Sequence, residues 1–128
     1  MKPELRYIEL KSGFGDSGPA WIGMAEFSKT GRTVYFNGKA LKSLNVGGVS
    51  GNYYDIENGD EYWISGVKKN GRDRHWAGGG KIMIDRTVVD IYLNQVDFHA
   101  LDKNQFELTE IKPTDKQKFS AMENEKKN

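Results

Sequence analysis

The chain contains no cysteine in its 128 residues. That excludes disulfides, thiolate-ligated zinc, iron–sulfur clusters and cysteine nucleophiles. Histidine is nearly absent too: His75 and His99 stand far apart, and scattered carboxylates around them give no metal-ligand spacing. No run of apolar residues approaches a membrane span, and the opening MKPELRYIELKSG lacks the apolar core of a leader peptide. The expectation is a cytoplasmic protein with no membrane contact. An excess of one charge is also missing, with 19 Lys and Arg against 18 Asp and Glu. The sequence pI of about 7.9 falls below the value above roughly 9 that marks a dedicated nucleic-acid binder.

What the chain does have is glycine, aromatics and short β-type runs. Hydrophobic residues make up 37% and aromatics 12%, with 15 Gly, a profile that suits a compact, turn-rich domain. The runs RYIEL, AWIGMAEFS, TVYF, KALKSL, NYYDIE, DEYWISGVKK, RDRHWAG and KIMID are bounded by turn residues. Asn37-Gly38, Asn58-Gly59 and Asn70-Gly71 each separate two such runs, and this dipeptide suits a two-residue hairpin turn. The predicted fold is mainly β: an antiparallel meander curled into a small barrel or a strongly bent sheet, plus one helix near 86–96. Asp85 caps that helix, and Val88, Val89, Tyr92, Leu93 and Val96 share one face. Residues 1–112 form the compact β domain. FELTEI permits a further strand, and residues 113–128 read as a charged, disordered tail.

Taking each Asn-Gly as a two-residue turn sets a register. Tyr54 then lies opposite Trp63, Ile56 opposite Glu61, Lys68 opposite Asp73 and Ser65 opposite Trp76. One face carries Tyr54, Ile56, Trp63, Val67, Arg74 and Trp76, and its apolar content predicts that it meets the core. The other carries Tyr53, Asp55, Tyr62, Ile64, Lys68, Asp73 and His75. It is predicted to be the exposed, contacting face.

Charge is uneven along the chain. Residues 66–86 hold six basic against two acidic side chains, while the rest of the chain is slightly acidic. GFGDSG spells a dinucleotide fingerprint, but Pro19 and a strand-like run follow where a helix must stand. GGGK lacks the rest of a phosphate-binding P-loop. No cofactor motif is present.

YIELKSGFGDSGPAWIG, GVSGNYYDIENGDEYWISGVKKNGRDRHWAGGGK and IDRTVVDIYL together resemble a family of small uncharacterised bacterial proteins. The likeness spans about Tyr7 to Val96. It implies a compact bacterial β domain and brings no established activity, so no residue role is carried over.

The functional expectation is a binding module for single-stranded nucleic acid or an acidic protein surface, working through the basic hairpin 66–81. Lys68, Lys69, Arg72 and Arg74 supply charge, while Tyr53, Tyr62, His75 and Trp76 supply ring contacts. One alternative is a small enzyme with His75 as general base and Asp73 behind it. Residues at i and i+2 of one strand stand about 7 Å apart at Cα, so His75 must lean along the strand to reach Asp73. The other alternative is a protein–protein adaptor whose basic hairpin is a solubilising tip.

Overall fold

A computed structural model describes residues 2–15, 17–44, 51–74, 79–96 and 99–120. Six strands close on themselves: β1 (Glu4–Leu10), β2 (Ala20–Phe27), β3 (Thr33–Phe36), β4 (Lys39–Ser43), β5 (Tyr53–Asp55) and β6 (Glu61–Gly66). They run antiparallel in the order β1-β6-β5-β4-β3-β2, and pairing of β1 with β2 seals the ring. The expected barrel is therefore present. Closure removes the free edges that a meander of this length would expose.

Strands β7 (Ile82–Asp85) and β8 (Phe106–Thr109) depart from the antiparallel meander, since β7 pairs parallel to β2 and β8 parallel to β7. One edge of β2 is shared: Ala20–Ile22 take β7, while Glu26 and Phe27 take β3. Gly23 sits at the parting. A Cβ there would stand 3.0 Å from the Phe36 ring, so the bare backbone lets that ring fill the barrel at its split.

The barrel interior holds Ile8, Ala25, Val34, Phe36, Leu41, Tyr62 and Ile64. A second core lies outside, between β1, β2, β7, β8 and the helical segment, built from Leu5, Tyr7, Ile22, Ile82, Ile84, Val88, Tyr92, Val96 and Phe106. Full burial of each such large side chain contributes about 1.5–3 kcal/mol. The helix arrives as expected, as one 3₁₀ turn (Arg86–Val88) leading into α1 (Val89–Gln95). The Asp85 carboxylate accepts the Thr87 N–H at 3.0 Å, satisfying an end donor.

Three expectations about the hairpins fail for identifiable reasons. Asn37 and Gly38 do take the positive φ pair, +51° and +77°, of a two-residue turn. Asn58 does not. The Asp55 carboxylate accepts the Glu57 N–H at 2.9 Å and the Asp55 carbonyl accepts the Gly59 N–H at 2.8 Å, giving a longer loop. Tyr53 therefore faces Tyr62 and Tyr54 faces Glu61, a slip of two residues that preserves which side chains share a face.

The faces themselves are inverted. Tyr62, Ile64 and Asp55 are buried inside the barrel, while Trp63 is 39% exposed. The hairpin alone gives Trp63 the larger apolar claim. Closure overrides it, because β1 lays Ile8 against Ile64 and Leu10 against Tyr62.

Finally, β6 ends at Gly66, and residues 67–74 form a loop in place of hairpin strands. Lys68 does face Asp73, but through its backbone: the Asp73 carboxylate accepts the Lys68 N–H at 2.7 Å. The Asn70 side chain accepts the Arg72 N–H at 2.9 Å. Side-chain oxygens thus take the donors that a strand ladder would have used.

Part of the segment read as a disordered tail is packed against the barrel. The Thr114 hydroxyl accepts the Gly38 N–H at 2.9 Å, and the Asn37 side chain accepts the Lys112 N–H at 3.0 Å. Residues 116–120 are helical, and Phe119 is 1% exposed beside Tyr35, Ala40 and Ile56. Composition missed this because one aromatic in a charged segment is enough to anchor it.

Candidate anion-binding cleft

The site grows from one strand face. Tyr7 and Glu9 alternate along β1 and point out of the barrel, with Lys11 two residues on. The Tyr7 hydroxyl donates to Glu9 Oε1, and Lys11 Nζ stands 2.8 Å from Glu9 Oε2. The Arg74 guanidinium approaches the same oxygen at 3.9 Å and donates a long bond to the Lys81 carbonyl at 3.4 Å. Glu9 is only 1% exposed. A carboxylate so buried is stable only with charge partners, and this one has two cations and a phenol.

Asp73, the residue before Arg74, is also buried. Its Oδ1 holds the Lys68 N–H, while Oδ2 is buried with no hydrogen-bond partner among the described residues. Burial pushes the carboxyl upward, against a smaller lowering by that backbone bond. The Tyr92 hydroxyl is likewise buried without a partner among those residues. Burial raises its phenol, and the nearby Asp73 charge raises it further. The Tyr7 phenol is raised by burial first and by its bond to Glu9 second.

This buried cluster supports an open cleft of about 710 Å³. It is lined by the 68–72 loop, by Gly79, Gly80, Lys81 and Ile82, and by Asn104 and Gln105. Lys68, Arg72 and Lys81 are exposed there, and among the described residues no carboxylate lines the cleft. Among the described residues, none of the three is held in an ion pair. Three cations within one concavity focus a positive potential. The chemistry this offers is electrostatic retention of an anion.

The predicted site residues divide accordingly. Lys68 and Arg72 line the cleft, Lys69 is exposed on the same loop, and Arg74 lines it while its guanidinium turns inward to Glu9. Tyr62 is 3% exposed, inside the barrel, and Tyr53 is half-buried against the same core. Burial, with help from Asp55 and Asp60, pushes the Tyr62 phenol up to about 12. His75 and Trp76 lie outside the described residues. Among the described residues, the exposed large rings are Phe14 and Trp63. Trp63 lies opposite Glu9 on the outer face, beside the carboxylate that Arg74 approaches.

Sequence reasoning missed two parts. Tyr7, Glu9 and Lys11 recur at every second position, a period that marks one strand face, and that signal was present. Nothing local announces Asn104 and Gln105, which reach the cleft through the parallel pairing of β8 with β7.

Among the described residues, no group of three or more His, Asp and Glu side chains is placed to hold a metal ion. Among them, too, no helix is long and apolar enough to cross a membrane. Set against known protein families, curated proteins and solved structures, the chain matches none of them.

Proposed function

We propose that the protein is a binding module for single-stranded nucleic acid, with the backbone phosphates drawn to the cleft by Lys68, Arg72 and Lys81. The observation that carries this reading is a cleft lined by exposed cations and, among the described residues, no carboxylate. Small β-barrels bind single strands with such a basic groove and neighbouring aromatic platforms. With Tyr62 buried and Tyr53 half-buried, we assign the platform to the exposed Trp63, which lies opposite Glu9. Single strands suit this arrangement better than duplexes, because an exposed ring needs an unpaired base to stack upon.

The test is fluorescence anisotropy of a labelled twelve-nucleotide single strand at low and moderate salt. Affinity is expected to fall steeply with salt. Arg72→Glu with Lys81→Glu should flatten that dependence by about one unit of slope for each contact removed. Lys29→Glu serves as the control. It is exposed and lies beyond the Phe27 end of β2, about 23 Å along the strand from the Ala20 end that meets β7. Absence of binding at low salt, or an unchanged slope in the double variant, overturns the reading. Equal competition by polyglutamate would instead make an acidic protein surface the ligand.

A further inference from the structure

We infer that Asn70, on the loop lining the cleft, is a site of spontaneous deamidation, and that its conversion to aspartate or isoaspartate weakens anion binding there. Deamidation needs no ligand, whereas the fall in affinity rests on the single-strand reading. The chemistry requires only solvent. The Gly71 backbone nitrogen attacks Asn70 Cγ and gives its proton to solvent. The Cγ–Nδ2 bond breaks, ammonia leaves with a proton from solvent, and a succinimide closes. Water then opens the ring at either carbonyl, leaving aspartate or its β-linked isomer. A glycine after the asparagine leaves the attacking nitrogen unobstructed, so Asn37, Asn58 and Asn70 are the candidates.

Folding separates them. Asn37 is held from a distant segment: its side chain accepts the Lys112 N–H at 3.0 Å, and the Thr114 hydroxyl accepts the Gly38 N–H at 2.9 Å. The side chains of Asn58 and Asn70 fold over their own loops instead, accepting the Asp60 and Arg72 N–H groups at 2.9 Å each. The Gly59 N–H donates to the Asp55 carbonyl at 2.8 Å and the Gly71 N–H to the Lys68 carbonyl at 3.0 Å. Attack therefore waits on local opening. The Asn58 loop is tied into the β5–β6 hairpin, where the Asp55 N–H donates to the Asp60 carbonyl at 2.8 Å. Residues 67–74 lie outside the strands, so Gly71, though buried, is released without breaking the barrel ladder.

Charge widens the gap. The attacking nitrogen becomes anionic, a form that neighbouring cations favour and carboxylates oppose. Asn70 stands among the exposed Lys68, Lys69 and Arg72, with the buried Asp73 as the opposing charge. Asn58 stands between Glu57 and Asp60, with Lys118 reaching Glu57 at 3.4 Å. The product at residue 70 brings a carboxylate into a cleft that has none among the described residues, offsetting one cation. The β-linked isomer also lengthens the loop backbone by a carbon.

The experiment ages the full chain at mildly alkaline pH and follows the three sites by peptide mass spectrometry. Asn70 should convert about tenfold faster than Asn58, the factor that one unit of N–H acidity brings, with Asn37 the slowest. Raised salt should narrow the gap between Asn70 and Asn58, and unfolding in urea should bring Asn37 up towards them. Anisotropy with the labelled twelve-nucleotide strand then compares fresh and aged protein. Aged wild type and fresh Asn70→Asp should both lose about one unit of salt slope. Asn70→Ser, which keeps a side-chain acceptor, should bind after ageing as it did when fresh. Conversion of Asn58 or Asn37 as fast as Asn70, or a gap unmoved by salt, overturns the inference. Full conversion with unchanged binding overturns its effect on the cleft. Failure of fresh protein to bind overturns the single-strand reading, and the order of conversion then decides the modification site alone.

Discussion

Asp73 Oδ1 accepts the backbone N–H of Lys68 at 2.7 Å, and this bond closes the loop that lines the cleft. The carboxylate is buried on the inner side of that loop, while Lys68 and Arg72 are exposed on the outer side. A buried acid thus shapes a basic surface without neutralising it. Asp73→Ala removes the acceptor and should cost about 1–3 kcal/mol. Asp73→Asn keeps an acceptor and should cost less. Denaturant midpoints measure both, and equal losses would mean that the charge matters more than the bond.

The same carboxyl predicts a pH dependence. Burial raises it in the folded state. A carboxyl raised on folding favours the folded protein while it stays protonated, and that contribution is lost as pH rises through the folded value. Wild type should therefore gain stability relative to Asp73→Asn as pH falls from about 7 to about 4. Urea midpoints of both proteins at stepped pH would show it. A difference moving the other way would mean that the ionised form is the one favoured by folding.

Glu9 governs the other half of the cluster. Glu9→Ala leaves Lys11 and Arg74 buried without their shared carboxylate, and breaking a buried ion pair from one side costs about 3–5 kcal/mol. Tyr7→Phe removes only the hydroxyl bond to Glu9 and should cost about 1.5–3 kcal/mol, the range for a bond to a charged group. If Glu9→Ala proves no worse than Tyr7→Phe, the cations relax into water and the cluster is not a rigid support.

How far the chain announces all this depends on what each residue answers to. Asn37-Gly38 is local, and its turn was legible because positive φ at both positions is a property of the dipeptide. Asn58-Gly59 looks identical in sequence but answers to Asp55, whose carboxylate lengthens the loop. The orientation of β6 answers to Ile8 and Leu10, more than fifty residues away, so the hairpin read alone turned Trp63 inward. The basic character of the cleft was legible in Lys68, Arg72 and Lys81. The part lined by Asn104 and Gln105 was not, because both arrive through a parallel strand pairing with no short-range signal.

Phe119 tests how independent the C-terminal segment is. Phe→Ala in a core costs about 3–5 kcal/mol, but a terminal segment can detach before the barrel unfolds, which caps the loss. Phe119→Ala should therefore speed hydrogen exchange at Gly38 and Lys112, whose N–H groups depend on Thr114 and Asn37. Amides of β1 and β2 should stay protected. Uniform acceleration across the barrel would show that the segment belongs to the global folding unit.

Trp63 separates stacking from charge. Its exposed ring lies opposite Glu9 on the outer face. Loss of one base–aromatic stack costs about 1–3 kcal/mol, and removing a neutral ring releases no counterions. Trp63→Ala should therefore weaken single-strand binding by about five- to a hundredfold while the salt slope stays that of wild type. Arg72→Glu should do the reverse, flattening the slope, with its loss of affinity largest at low salt. Anisotropy titrations of both variants over a salt series place the two effects on separate axes. A parallel fall in slope for Trp63→Ala would mean that the ring positions the cations, and that phosphate attraction accounts for its share of the binding.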